Sequence, residues 1–214
     1  MPTMVERLRE IGIVPVIVID DAEDAVPVAE ALMEGGLPCA EVTLRTPSAM
    51  EALRRMVKAY PELLVGAGTV LSADQVDESL DAGAKFIVSP GIDPAVVDQS
   101  LQREVPVFPG VCTPTEVAVG LARGLRTLKF FPAEPAGGLP FLKAISAPYP
   151  MMEFIPTGGI NVQNLSSYLG FKKVVACGGS WMVAQDWIRE KDFGRIRREV
   201  EKAVHTIRDI RTGK

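Results

Sequence analysis

Glu41, Thr43 and Arg45 alternate along the segment Ala40-Glu41-Val42-Thr43-Leu44-Arg45. In a strand, alternation puts an acid, a hydroxyl and a guanidinium on one face and Val42 and Leu44 on the other. If the apolar face meets helices, the three polar groups point inward. Buried charge is costly unless it is paired or put to use. Two readings follow: a Glu41–Arg45 ion pair that fixes a core, or a working acid beside a cation that binds a carboxylate.

Lys129 stands in a second apolar segment, between Leu128 and Phe130. Desolvation works against an ammonium charge, and a free amine can attack a ketone to form an iminium. The blander reading is a lysine that snorkels to solvent or neutralises Glu41. A strand lysine able to face Glu41 across a barrel mouth favours chemistry.

Two later segments end in glycine pairs, Pro156-Thr157-Gly158-Gly159-Ile160-Asn161 and Cys177-Gly178-Gly179-Ser180-Trp181. One Gly-Gly is usually just a turn. Two, at the last two strand ends of an α/β barrel, fit a phosphate held by backbone N–H groups, which glycine lets the anion approach. Thr69, in Gly66-Ala67-Gly68-Thr69-Val70, offers a hydroxyl to a carboxylate near Arg45. Pro90 and Thr113 are read first as loop geometry, and Pro90 is also carried in the candidate substrate-binding set. His205, the single histidine, lies in the terminal helical stretch and is read as solvent-facing or packed. No Ser–His, Cys–His or metal-ligand constellation can be assembled, so no metal is expected.

The elements that must position these residues repeat eight times along the chain: a β-branched or apolar run, a turn, then a stretch of helical period. The expected strands are 14–19, 40–44, 63–67, 86–89, 107–109, 127–131, 153–156 and 174–177. Helical stretches include 4–11, 22–34, 48–59, 73–81, 95–104, 115–122, 181–190 and 193–211. Eight units without a linker predict one domain over residues 1–214, a (β/α)8 TIM barrel with a short N-terminal helix. No Gly-x-Gly-x-x-Gly follows the first strand, which weakens a dinucleotide-binding reading.

The 214 residues are 47% hydrophobic and 23% charged, an ordinary globular balance with enough chain for a sizeable core. A net charge of −4 argues against a nucleic-acid partner, whereas a single phosphate needs only a local pocket. Cys39, Cys112 and Cys177 are scattered in apolar segments and read as reduced core residues, which suits a cytoplasmic location. The longest apolar run, residues 13–19, is too short to span a membrane, and the first residues carry no apolar signal core.

Taken together, Glu-Val-Thr-Leu-Arg-Thr (41–46), Gly-Ala-Gly-Thr-Val (66–70), Ser-Pro-Gly (89–91), Lys-Phe-Phe-Pro-Ala-Glu (129–134), Pro-Thr-Gly-Gly-Ile (156–160) and Gly-Gly-Ser-Trp (178–181) resemble the motifs of the 2-keto-3-deoxy-6-phosphogluconate (KDPG) aldolase family, some members of which also cleave 4-hydroxy-2-oxoglutarate. The resemblance spans almost the whole chain. It implies a class I aldolase of the Entner–Doudoroff pathway, usually a homotrimer, acting on a phosphorylated keto acid without a cofactor. It also implies residue roles: Lys129 as the Schiff-base lysine, Glu41 as general acid/base, Arg45 and Thr69 as pyruvate-carboxylate binders, and Phe131 as a wall against the pyruvyl group. Thr157 matches a contact to the aldehyde-derived part, and Gly158, Gly159, Gly179 and Ser180 match the phosphate site. The alternative from another class is a catalytically silent barrel that binds a phosphorylated metabolite.

Overall fold

Helix starts are written into the chain as polar caps. Thr3 and Glu6 form a reciprocal capping box at α1 (Met4–Ile11), and Thr113 and Glu116 form another at α6 (Pro114–Ala122). Ser72 caps α4 (Ala73–Asp81), and Asp93 caps α5 (Pro94–Gln102), which opens on proline. Thr113, read from sequence as a loop residue, is thus the residue that begins a helix. The remaining helices are α2 (Ala25–Glu34), α3 (Ala49–Ala59), α7 (Gly138–Ser146), α8 (Leu165–Leu169), α9 (Gln185–Arg189) and α10 (Phe193–Thr212).

Between them run the strands β1 (Ile13–Ile17), β2 (Cys39–Thr43), β3 (Leu64–Gly68), β4 (Ile87–Ser89), β5 (Val107–Val111), β6 (Thr127–Phe130), β7 (Glu153–Pro156) and β8 (Cys177–Gly179). In this computed structural model, which describes residues 2–212, all pairings are parallel and the strands follow the order β7-β6-β5-β4-β3-β2-β1-β8. Single bridges at Phe154–Val174 and Thr157–Gly178 join the two ends. The result is a nearly closed (β/α)8 barrel with an N-terminal helix.

Beyond shifts of one or two residues at element ends, two expected elements depart most from the structure. The sequence places the eighth strand over Val174–Cys177, with a glycine turn after it. Glycine is a poor strand former, but pairing of Ile13, Val14 and Pro15 with Cys177, Gly178 and Gly179 shifts the strand into the glycines. The stretch 181–190 is not one helix. A 3-10 turn, Trp181–Val183, is interrupted by extended Ala184 at ψ 133° before α9 begins.

One core lies between sheet and helices and includes Ile17, Val42, Leu53 and Phe130. Ile196, Val200, Ala203 and Ile207 of α10 belong to it. A second core fills the barrel, from Val14, Cys39, Leu64, Phe86, Val88, Phe108 and Ile155. Leu8 of α1 is fully buried in this second core, so the helix closes the N-terminal end of the barrel. Burying such a leucine contributes about 1.5–3 kcal/mol. Arg9 pairs with Glu153 at 2.7 Å, and the Arg211 guanidinium donates to the carbonyls of Arg9 and Glu10, fastening α1 in place. No helix among the described residues is long and apolar enough to cross a membrane.

Candidate active site

Glu41 and Lys129 are the charged residues that the strand periodicity turns into the barrel. Both are buried, with side chains 4% and 7% exposed, and Glu41 Oε1 lies 3.5 Å from Lys129 Nζ. That oxygen has no hydrogen-bond partner, so the carboxylate is held by charge and packing and keeps a lone pair free. The Phe131 ring lies over the lysine, 4.9 Å from Nζ to the ring centre. Below the pair, Leu8, Val14, Phe86, Val88, Phe108, Ile155 and Thr157 help to enclose only about 10 Å³, roughly the room one water needs. A reactant must therefore come from the C-terminal side of the strands.

The Glu41–Arg45 ion pair allowed by sequence does not form. Arg45 instead donates from Nε to Thr43 Oγ1 at 3.2 Å, and that hydroxyl donates to the Ile17 carbonyl at 2.8 Å. Arg45 thus sits exposed at the barrel mouth, without a carboxylate partner among the described residues. Thr46 Oγ1 donates to the Ile19 carbonyl, and Ser48 Oγ to the Asp20 carbonyl at 2.7 Å. These bonds strap the loop carrying Arg45 to the end of β1.

Thr69, just past β3, has φ +59°. A β-branched residue in the left-handed region is an outlier, and such strain typically costs on the order of 1–3 kcal/mol. Neighbouring bonds impose it: the Gly68 carbonyl accepts from Leu44 N at 2.7 Å, and Val70 N donates to the Val88 carbonyl at 3.1 Å. Pro90 is half-buried past β4, and its carbonyl lies 2.0 Å from where a Cβ on Gly110 would stand. Its contact with β5 supports the loop-geometry reading.

Thr157 is buried beside the pair, and its Oγ1 occupies the space a Cβ on Gly178 would need, 2.3 Å away. Gly158 and Gly159 have φ +99° and +82°, which only glycine adopts without strain. The Gly159 carbonyl accepts from Asn164 Nδ2 at 3.1 Å and Asn161 Nδ2 at 3.3 Å. The backbone N–H groups of Gly159, Ile160 and Ser180 have no acceptor among the described residues. Ser180 is exposed and its side chain caps nothing. Gly179 is glycine for a reason not visible in the sequence: a Cβ there would stand 2.0 Å from the Trp181 ring.

Several other titratable groups serve structure. Burial pushes the Cys39 and Cys177 thiols up, which removes them as nucleophiles. His205 is exposed on α10, with Nδ1 2.9 Å from Asp209. Hydrogen bonds from Arg189 and then Gln185 hold the Asp20 carboxyl below its usual value, and they tie α9 to the end of β1. Among the described residues no group of three or more His, Cys, Asp or Glu is placed to hold a metal ion. Sequence reasoning missed the residues that make room for the site, above all Gly68 beside Glu41. The small-residue run Gly66-Ala67-Gly68 was the available signal.

The chain is similar to known proteins over most of its length. Residues 4–199 match the family model described as "Aldolase: KDPG and KHG aldolase". A 2-dehydro-3-deoxy-phosphogluconate aldolase of Treponema pallidum (strain Nichols) is 43% identical over 196 residues, covering 92% of this chain and 93% of that protein. A KHG/KDPG aldolase of Escherichia coli (strain K12) is 44% identical over 203 residues, covering 94% and 95%. The crystal structure of KDPG aldolase from Legionella pneumophila, with pyruvate captured at low pH as a covalent carbinolamine intermediate, superposes with a TM-score of 0.90 at 41% identity, covering 94% of this chain and 98% of that one. The chain belongs to the KDPG and KHG aldolase family.

Proposed function

We propose that Lys129 is the Schiff-base nucleophile and Glu41 the proton shuttle of a class I aldolase. The enzyme cleaves KDPG to pyruvate and glyceraldehyde 3-phosphate. The observation that carries the assignment is the buried Glu41–Lys129 pair at 3.5 Å.

Lys129 Nζ adds to the C2 ketone of the substrate. Loss of water gives an iminium, an electron sink within the substrate. Glu41 accepts the C4 hydroxyl proton as the C3–C4 bond breaks, and the bonding electrons flow into the iminium to give an enamine. Glyceraldehyde 3-phosphate departs. Glu41 returns the proton to C3 of the enamine, and water hydrolyses the resulting imine to pyruvate and free lysine. The sequence of steps needs no metal or organic cofactor.

Arg45, without a competing carboxylate, and Thr69 bind the substrate carboxylate. Phe131 walls the pyruvyl group, Pro90 shapes the rim, and Thr157 contacts the aldehyde portion. Gly158, Gly159, Gly179 and Ser180 hold the distal phosphate through backbone N–H groups and one hydroxyl, without a cationic side chain. The same machinery serves 4-hydroxy-2-oxoglutarate, which lacks that phosphate. We assign the enzyme to the cytoplasm and to the Entner–Doudoroff pathway, as a homotrimer in which residues 1–214 form one catalytic unit per subunit. Support for the single unit comes from α10, whose buried residues join the barrel's outer core.

The test is reductive trapping. Pyruvate with borohydride should leave a three-carbon adduct on Lys129, located by mass spectrometry, and Lys129→Arg should abolish both adduct and turnover, since a guanidinium stays protonated. An adduct on another lysine, or none with activity intact, overturns the assignment. A silent metabolite-binding barrel gains nothing from a buried acid–lysine pair that costs desolvation energy. It would give no adduct.

A further inference from the structure

Tyr168 of α8 is one of the largest fully buried side chains, and its hydroxyl donates to Glu134 Oε1 on the neighbouring β6–α7 loop. A buried hydroxyl must find a partner. This one takes a carboxylate rather than a carbonyl of its own helix, and so ties two elements together. The Glu134 side chain is drawn across the Gly158–Gly159 turn: a Cβ on Gly159 would stand 2.6 Å from Glu134 Cβ and 2.7 Å from Cγ. The Glu134 backbone N–H donates to the Gly158 carbonyl at 3.0 Å, and that of Ala133 to the Thr157 carbonyl at 2.8 Å. One face of the turn is therefore formed by Glu134. Asn161 and Asn164 hold the Gly159 carbonyl.

A carboxylate this close to an anion site opposes binding unless it is held away from the anion. We infer that Tyr168 and Glu134 are positioning residues for the phosphate end of the site. The Tyr168 hydroxyl holds the Glu134 side chain against Gly159, and that contact sets the turn whose N–H groups receive the phosphate. The inference rests on the phosphate reading given above. It adds a requirement that neither the glycines nor Ser180 supplies.

The experiment measures kcat and KM separately on KDPG and on unphosphorylated 4-hydroxy-2-oxoglutarate for Tyr168→Phe, Glu134→Ala, their double variant, Glu134→Gln and Ser180→Ala. Tyr168→Phe and Glu134→Ala should each raise KM for KDPG by about three- to tenfold, the loss of one hydrogen bond's positioning. The kcat on KDPG and both constants on the unphosphorylated substrate should stay within about twofold. The double variant should be no worse than the poorer single one, because both remove the same link. Glu134→Gln keeps an acceptor for Tyr168 and should restore near wild-type KM. Glu134 is exposed, so its variants test the idea even if Tyr168→Phe folds poorly. Equal losses on both substrates, additive losses, or no loss with Glu134→Ala overturns the inference. If Ser180→Ala is selective for KDPG while the Tyr168 and Glu134 variants are not, the inference fails and the phosphate site stands. If Ser180→Ala also lacks selectivity, the phosphate reading itself falls.

Discussion

The Glu41 carboxylate fills the space that a side chain on Gly68 would take: Oε1 lies 2.3 Å, and Cδ 2.8 Å, from the position of a Cβ on that glycine. The acid is thus placed by what β3 lacks as much as by β2, which carries it.

Gly68→Ala should therefore displace the carboxylate while leaving the barrel intact. We expect kcat to fall by on the order of 10²-fold, the scale of an ångström-sized misplacement. Thermal stability should fall as well, by about 1–3 kcal/mol, because Glu41 Cγ also stands only 2.6 Å from that position and the buried side chain has little room to move. Steady-state kinetics beside a melting curve checks this. Full activity would show that Glu41 works from another position.

Glu41→Gln removes the proton acceptor without changing the packing. Turnover should drop by about 10²–10⁴-fold. Borohydride trapping of pyruvate on Lys129 should persist, more slowly. A variant with near wild-type turnover would reduce the 3.5 Å pair to a structural contact.

Thr69→Gly relieves the strain of φ +59° and deletes the hydroxyl. The protein should become no less stable, and at most about 1 kcal/mol more stable, since glycine's added chain entropy offsets part of the relief. KM should rise on both aldol substrates, which share the carboxylate. A clear stability loss with unchanged KM would make Thr69 a packing residue.

Ser180→Ala and Gly179→Ala both act at the phosphate end, the first on binding alone and the second on packing as well. The first removes a hydrogen bond to a charged group, on the order of 1.5–3 kcal/mol, and should weaken kcat/KM for KDPG much more than for 4-hydroxy-2-oxoglutarate. The second drives a methyl group into the Trp181 ring and should destabilise the fold by about 1–3 kcal/mol. Denaturant melts and the two-substrate assay give each number.

Sedimentation or light scattering at working concentration should return a trimer. Leu71, 57% exposed beside Pro90 and Ile92, supplies apolar surface for a contact of that kind. A fully active monomer would refute it.

Lys129 was legible as a lysine in an apolar strand able to face Glu41, and period-two alternation at residues 40–45 was enough to place Glu41 on an inward face, because strand geometry is local. The eight βα units were legible for the same reason. Three features were not. Cys177–Gly179 becomes a strand only through pairing with Ile13–Pro15. Arg45 declines Glu41 in favour of Thr43, a choice made by three-dimensional reach rather than by spacing. The reasons for Gly68, Gly178 and Gly179 lie in side chains elsewhere in the chain: Glu41, Thr157 and Trp181. A sequence announces that a glycine is present, whereas only the fold says what stands where its side chain would have been.

With Leu8 stoppering the far end and little free volume under Lys129, the barrel works as a vessel with a single opening. Traffic through one opening is ordered by position. On the mechanism proposed above, the pyruvyl unit is tethered deepest, and the aldehyde fragment lies between it and solvent. The aldehyde must then leave first, and the water that frees pyruvate must enter afterwards along the path just vacated. In the synthetic direction the order inverts: pyruvate loads first and the aldehyde second. The covalent tether sets this order, and the plug at the base of the barrel leaves no second route around it.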